Sequence, residues 1–200
     1  ERLSLDDEKL LRITTDPDFC REQGIVAQTL EGYLFPETYR LSLSMNEHQV
    51  VKELLKHFFK IFNESMRIRA QELNMSIHEI TTLASIIEGE VQVASERRLV
   101  SAVYHNRLKK RMRLQADPTV QFSIVDGPRR LFNRDYLVDS PYNTYLIFGL
   151  PPGPVMSPGK ASLEAALYPA DVDFLYFVAK GDGSHIFSIT ADEHEIAKKK

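Results

Sequence analysis

The stretch Ser76–Val91, SIHEITTLASIIEGEV, decides the fold of this 200-residue chain. Ser76 is followed three residues later by Glu79, and this pair is the capping-box signature of a helix N-terminus. At about 100° per residue, one face of that helix collects the apolar side chains of Ile77, Ile80, Ala84, Ile87 and Val91. Leu83 and Ile86 extend the apolar surface, so we predict a helix from residue 77 to about 91 that is buried on most faces.

Glu88 falls in the middle of the apolar face, between Ala84 and Val91. A buried carboxylate is costly unless it is paired or neutral, and a buried carboxyl that stays protonated near neutral pH can serve as a general acid. The alternative is a structural ion pair, with an arginine or a covering loop over Glu88. Periodicity alone leaves both open and favours the structural pair. Glu90 lies well round the helix, where it can reach solvent or a basic partner.

Two further helices are expected to pack with this one. Apolar residues recur at three- and four-residue spacing from Asn46 to about Asn74, which predicts one long helix. A third helix is expected from Ser95 to about Lys110. Short links between the three predict an antiparallel helical core.

The part of the chain after Met112 has a different composition. Its many prolines after Met112 predict long irregular loops, where binding and catalytic sites are usually placed. A short helix is expected over 160–167, followed by strands over 174–178 and 185–189 that are joined by a Gly181–Gly183 hairpin. The fold class is therefore α+β, with a helical core, a small C-terminal hairpin and long Pro-rich loops.

Composition excludes several classes of protein. With 25 basic and 28 acidic residues the formal net charge is −3, which argues against a nucleic-acid partner. The single cysteine, Cys20, rules out an internal disulfide, and the six histidines form no metal-ligand motif. No apolar run is long enough for a membrane segment. The chain starts at Glu1, so we expect a fragment, with any anchor upstream.

Several polar side chains in the second half suit a sugar-binding cleft. Amide, guanidinium and phenol groups are the usual hydrogen-bonding and stacking partners of hydroxyl-rich ligands. The residues of this kind are Asn106, Arg107, Gln115, Tyr142, Asn143 and Tyr145. Glu96–Arg97 and Asp117 could instead form supporting ion pairs, and taken singly each residue is more readily explained by a structural role.

An ordered set of motifs resembles the endolytic murein transglycosylase family (YceG-like). The motifs are LEGYLFPETY at 30–39, ASIIE at 84–88, ER at 96–97, NRL at 106–108, MRLQADPTV at 112–120, SPYNTY at 140–145 and GLPPGP at 149–154. The resemblance runs from about residue 30 to the end. It implies a catalytic domain over 30–200, preceded by a lead-in segment, 1–29, from the edge of an upstream LysM-like lobe.

The resemblance also implies site residues. It puts the catalytic glutamate at Glu88 and substrate contacts at Gln115, Asp117, Tyr142, Asn143, Tyr145, Asn106 and Glu37, with no metal and no cofactor. Gly89 departs from the family pattern, which often has Lys there.

The implied function is cleavage of peptidoglycan glycan strands between N-acetylmuramic acid and N-acetylglucosamine. Glu88 would act first as acid and then as base, and the product would carry a 1,6-anhydro end. The resemblance further implies the extracytoplasmic face of a bacterial inner membrane and penicillin-binding synthases as partners of the parent protein. An inactive glycan-binding or scaffolding module and a hydrolase remain as alternatives.

Overall fold

A computed structural model describes residues 4–199, which form nine α-helices and one two-stranded sheet. The helices are α1 (Asp7–Thr14), α2 (Pro17–Glu22), α3 (Glu47–Ile61), α4 (Glu64–Glu72), α5 (Ile77–Glu90), α6 (Arg97–Lys109), α7 (Asp117–Ser123), α8 (Lys160–Leu167) and α9 (Ala191–Ala197). The strands are β1 (Tyr176–Ala179) and β2 (His185–Ser188), and single 3-10 turns lie at Ala94–Glu96 and Asp135–Leu137. The α+β class predicted from the sequence is confirmed.

Helix α5 is the centre of the molecule. Its capping box forms as predicted: the Glu79 amide donates to the Ser76 hydroxyl at 3.1 Å, and the Ser76 amide donates to the Glu79 carboxylate at 2.8 Å. Ile80, Leu83 and Ile86 are completely buried, because α5 packs against α4, α6, α7 and α8. Its most extensive contact is with α8, so α5 and α8 together form the middle of the hydrophobic core.

The long helix expected over 46–74 is two helices, and the prediction is wrong at this point. α3 ends at Ile61, and Asn63 starts α4 by accepting a hydrogen bond from the Met66 amide at 3.1 Å. Phe58 and Phe62 are fully buried before the break and Met66 is buried after it, so the apolar spacing continues. The Asn63 side chain accepts a hydrogen bond from a backbone N–H that has no partner within the helix. Hydrophobic periodicity does not detect such a helix start.

The Pro-rich region after Met112 also differs from the prediction, because it contains a helix. α7 starts at Asp117, and Pro118 occupies its first turn. Proline is favoured there, since the first backbone N–H groups of a helix have no intrahelical partner to lose. Pro118, which the sequence placed in a loop, therefore lies at the start of a helix. This helix start fixes the position of Asp117.

The C-terminal hairpin forms with the expected turn. β1 and β2 pair antiparallel, with Phe177 opposite Phe187 and Ala179 opposite His185. Gly181 and Gly183 have φ of +90° and +87°, a conformation that glycine adopts without strain. α9 packs against both strands and completes this end of the domain.

The lead-in segment packs on the same core as the rest of the described chain. α1 lies against α3, and Ile13, Phe19, Cys20 and Ile25 are buried in the common hydrophobic core. The Leu30 amide donates to the Thr14 carbonyl at 2.8 Å and fixes the end of this segment. Residues 7–29 thus contribute to the stability of the domain that carries the cleft.

Gly32 offers a test of the close approach between the LEGYLFPETY motif and the loop above α5. Its φ is +83°, and an added Cβ would clash with the Pro154 ring and lie 3.3 Å from Thr81 Cγ2. We expect Gly32→Ala to lower the free energy of unfolding by about 3 kcal/mol, from backbone strain plus overpacking. Urea denaturation measures the loss.

Gly24→Ala is the matched control for Gly32→Ala. Gly24 has a similar φ of +76° but no heavy atom within 4 Å of its added Cβ. Strain alone should cost about 1 kcal/mol. Equal losses in the two variants would contradict the tight contact with Pro154.

Candidate active site

A cleft of about 390 Å³ opens where the C-terminal end of α5 meets the Pro-rich region and the hairpin. Its polar wall is formed by Glu90, Arg107, Gln115, Asp117, Tyr145 and His185. These side chains come from α5, α6, the residues around the start of α7, the loop after Asn143, and β2. Such a concave site with converging polar groups is typical of a ligand or catalytic site.

Glu90 is a carboxyl whose pKa the fold raises into the neutral range. It is the last residue of α5, and its Oε1 accepts a hydrogen bond from the Tyr104 hydroxyl at 2.9 Å. Burial raises the pKa of Glu90 to about 7, and the nearby charge of Asp117 raises it too, against the opposing effects of the Tyr104 hydrogen bond and Arg107. A large fraction of Glu90 is therefore protonated at neutral pH, as a general acid requires.

Gly89 brings the two carboxyl-bearing helix ends together. A Cβ at Gly89 would lie 2.7 Å from Pro118 Cγ and 2.8 Å from Pro118 Cβ, which are closer than normal contacts. The missing side chain lets the first turn of α7 pack directly on the last turn of α5. Asp117 is thereby placed beside Glu90 on the cleft wall.

Arg107 forms the buried base of the cleft. It is 6% exposed, and its guanidinium donates to the backbone carbonyls of Leu175 and Leu114, each at 2.7 Å. It also stacks over the Tyr176 ring at 5.4 Å. Because these donors are committed to backbone, Arg107 ties β1 and the segment before α7 to α6 and supplies positive charge near Glu90.

Three residues predicted from the sequence do lie together in the cleft. Tyr145 donates its hydroxyl to Asp117 Oδ1 at 2.7 Å, and the Tyr136 hydroxyl approaches the other oxygen at 3.4 Å. Burial raises the pKa of Tyr145, so its hydroxyl remains protonated. Gln115 lies beside them with a left-handed φ of +49°, a strained conformation of the kind that often marks functional sites.

The other expected substrate contacts lie outside this cleft. Asn143 is fully buried, and its amide donates to the carbonyls of Tyr136 and Val138. Asn106 donates to the carbonyls of Val172 and Phe174 at 2.8 and 3.0 Å. These side-chain amides donate hydrogen bonds to loop carbonyls that have no backbone N–H partner among the described residues, because irregular segments lack a regular backbone hydrogen-bond pattern.

Tyr142 and Glu37 also lie away from the cleft wall. Tyr142 packs on Phe122, with 4.7 Å between ring centroids, and against the hydrophobic core. Glu37 is exposed in the segment that precedes α3. Neither side chain lines the cleft that contains Glu90.

Glu88 points to the other side of α5. Its Oε2 accepts hydrogen bonds from the Ser162 hydroxyl at 2.6 Å and the Gly159 amide at 3.2 Å, and Arg97 lies 4.0 Å from its other oxygen. The side chain is 30% exposed. These contacts form the structural ion pair that the sequence left open, rather than a burial among apolar neighbours, because the first turn of α8 brings polar donors to this position.

Sequence reasoning missed the environment of Glu90 and the pairing of Glu96 with His185. The prediction placed Glu90 toward solvent or a basic partner, but Tyr104 and Arg107 of α6 and Asp117 of α7 surround it. The nitrogen Nδ1 of His185 lies 2.7 Å from the Glu96 carboxylate, although the two residues are 89 positions apart. No local pattern reports contacts of this range.

Neither a metal site nor a membrane span is found among the residues described. Within 4–199 no three His, Cys, Asp or Glu side chains come together in a way that would hold a metal ion. No helix in the same range is long and apolar enough to cross a bilayer.

Known proteins resemble this chain along most of its length. The endolytic murein transglycosylase of Bacillus subtilis is 39% identical over 178 residues, which is 88% of this chain and 49% of the relative. The endolytic murein transglycosylase of Streptococcus pneumoniae R6 is 32% identical over 173 residues, covering 83% of this chain and 31% of the relative. The chain therefore spans half or less of the curated relatives it matches.

A solved structure and a family profile agree with these relatives. The crystal structure of a yceG-like protein from Listeria monocytogenes superposes with a TM-score of 0.88 at 36% identity, covering 98% of this chain and 68% of the other. Residues 4–200 match the profile of the YceG-like family. On this match, which extends over nearly the whole chain, the protein belongs to the YceG-like family.

Proposed function

We propose that this domain cleaves the glycan strands of peptidoglycan as a lytic transglycosylase, with Glu90 as the general acid. The observation that carries the proposal is the carboxyl of Glu90, whose pKa burial raises to about 7 on the wall of a cleft. The Bacillus and Streptococcus relatives are named endolytic murein transglycosylase, and this supports the substrate class.

In this mechanism, protonated Glu90 donates its proton to the glycosidic oxygen as the bond from that oxygen to C1 of N-acetylmuramic acid breaks. The N-acetylglucosamine end leaves as an alcohol, and positive charge develops at C1. The 6-hydroxyl oxygen of the same muramic acid then attacks C1 and closes a 1,6-anhydro ring. A base takes the hydroxyl proton, and no water is consumed; in the simplest scheme this base is the carboxylate of Glu90.

The other cleft residues have roles that follow from their contacts. The Tyr145 hydroxyl is held by Asp117, so Asp117 and Tyr145 form a rigid polar wall next to Glu90. A preorganised negative charge close to C1 stabilises a developing cation without a reorganisation cost. The Gln115 amide has both a donor and an acceptor for an N-acetyl group.

A hydrolase is the second candidate, because Asp117 is a second carboxyl in the same cleft. Two carboxyl groups flanking the bond are what a typical glycoside hydrolase uses. Against this role, both carboxylate oxygens of Asp117 are already approached by tyrosine hydroxyls. An inactive glycan-binding module would bind strands and release nothing.

Product analysis tests the proposal. Incubation of the protein with purified sacculi should release muropeptides whose muramic acid ends are 1,6-anhydro, 18 Da lighter than the reducing ends that hydrolysis leaves, and mass spectrometry separates the two. Reducing ends alone would favour the hydrolase. Strand binding without any product would favour the scaffolding module. The extracytoplasmic location and synthase partners implied by the family resemblance form part of the same proposal.

A further inference from the structure

His185 and Glu96 form a carboxylate–imidazole pair on the cleft wall that the scheme above does not use. The Glu96 Oε2 lies 2.7 Å from His185 Nδ1, and its Oε1 accepts from the His185 backbone amide at 3.2 Å. The His185 side chain is only 8% exposed and the Glu96 side chain only 14%. The pair is therefore locked by packing, unlike a solvent-exposed ion pair.

The pairing fixes which ring nitrogen faces the ligand. A carboxylate accepts hydrogen bonds, so Nδ1 of His185 carries a proton and neutral His185 keeps its lone pair on Nε2. Among residues 4–199 no hydrogen bond to Nε2 is formed, and His185 lines the cleft together with Glu90. Nε2 is thus an oriented acceptor available to a bound hydroxyl.

Aromatic packing connects His185 to the proposed acid. The His185 ring meets the edge of Phe177 at 5.2 Å, and Phe177 packs edge-on against Tyr104 at 5.9 Å. Tyr104 in turn donates its hydroxyl to Glu90. The imidazole and the carboxyl are therefore held on one wall by the packed rings of Phe177 and Tyr104.

We propose that His185, oriented by Glu96, is the base that takes the proton of the 6-hydroxyl group. This inference rests on the proposed function. Glu90 gives its proton to the leaving oxygen, the C1–O bond breaks, and O6 bonds to C1 while its proton passes to Nε2 of His185. The cycle leaves Glu90 anionic and His185 cationic, and proton transfer through cleft water restores both.

His194 is the other imidazole of the cleft, and it lacks the features of a base. It stacks on the Tyr176 ring at 5.1 Å. Its Nδ1 is buried without a hydrogen-bond partner in the described structure, so no carboxylate orients the ring. Burial also lowers the pKa of His194. Glu96 is hydrogen-bonded to His185, and the other charged and titratable groups that line the same cleft are Glu90, Arg107, Asp117, Tyr145, His194 and Lys198.

His185→Asn tests the proposal, because an asparagine amide can keep the hydrogen bond to Glu96 while it removes Nε2. We expect the rate of anhydro-product release from sacculi to fall by about 10²-fold, the usual contribution of a general base. The share of reducing ends should rise, since water then competes with an unassisted 6-hydroxyl. Glu96→Gln should lower the rate by at least about tenfold, and His48→Asn, at an exposed imidazole on α3, serves as the control.

The product ratio gives a readout that a structural role would not change. In the wild type the rate should fall at alkaline pH, as Glu90 loses its proton with a pKa of about 7. His185→Asn should keep this alkaline fall, because the acid is intact, while its share of reducing ends rises. Wild-type rates and products in this variant would overturn the proposal, and so would a slower variant with an unchanged product ratio.

The outcome for the proposed function is read separately. If the wild type forms no anhydro ends, the proposed function fails, and the role of His185 fails with it. If the wild type forms them and Glu90→Gln is inactive while His185→Asn equals the wild type, only the role of His185 is rejected. Thermal unfolding of each variant shows whether the fold is retained.

Discussion

Replacing Glu90 with Gln is expected to reduce the release of anhydro products from sacculi by at least about 10³-fold, within the range that general acids contribute. The glutamine side chain keeps the shape of the glutamate and can still accept the hydrogen bond from Tyr104, but it has no proton to donate to the glycosidic oxygen. Quantitative mass spectrometry of soluble muropeptides measures the effect.

Glu88→Gln is the matched variant on the same helix. The Glu88 carboxylate is engaged by Ser162 and Gly159 and lies 4.0 Å from Arg97, on the opposite side of α5 from the cleft. Its loss should leave activity within about tenfold of the wild type, because a partly exposed ion pair contributes little. The reverse pattern, with Glu88→Gln inactive and Glu90→Gln active, would return the acid to the position implied by the family resemblance.

The stability of the protein should depend on pH through Glu90, and Glu90→Gln should remove that dependence. The pKa of Glu90 is about 7 in the folded state, against 4.5 for an ordinary glutamate. Between these values the folded state binds more protons than the unfolded state, so the free energy of unfolding falls as pH rises from about 4.5 to 7. The full loss corresponds to about 3 kcal/mol.

Urea denaturation of wild type and Glu90→Gln from pH 4.5 to 8 measures this effect as a difference. The variant should be the more stable protein at pH 8 by about 3 kcal/mol, with the gap closing toward pH 4.5. The difference cancels His105, whose pKa is lowered by burial and which acts in the opposite direction. The window also avoids Glu47 and Asp135, whose partners hold their pKa values near 2. A difference that is constant across the range would contradict the burial of the Glu90 carboxyl.

Elements with a strong local signal could be predicted from the sequence. The capping box at Ser76 and the apolar spacing after it predicted α5 to within one residue. The helix over 160–167 and the Gly-rich hairpin were likewise predicted, because capping, turn and periodicity signals act between near neighbours.

The sequence did not predict helix ends that depend on a single capping or first-turn residue. Asn63 divides the predicted long helix, although the apolar spacing runs through the break. Pro118 was expected to lie in a loop and instead occupies the first turn of α7. Both outcomes turn on how helix ends satisfy their backbone groups, which average composition does not report.

The candidate site divides in the same way. Gln115, Asp117 and Tyr145 line the cleft as expected, because they flank the start of one short helix and the loop bonded to it. Asn106 and Asn143 have the same chemistry but bind loop carbonyls. Residue type alone does not distinguish an amide that is available to bind a ligand from one that is hydrogen-bonded to loop carbonyls.

The sequence by itself determined that a nearly all-buried helix ends in two glutamates beside a Pro-rich polar region, and that the chain resembles enzymes acting on murein. Only the tertiary structure decided which glutamate lies in the cleft. Helical periodicity indicates which face of a helix is buried on average. The proton affinity of a carboxyl depends instead on the few atoms around it. Here the start of α8 gives Glu88 polar donors, while residues of α6 and α7 surround Glu90.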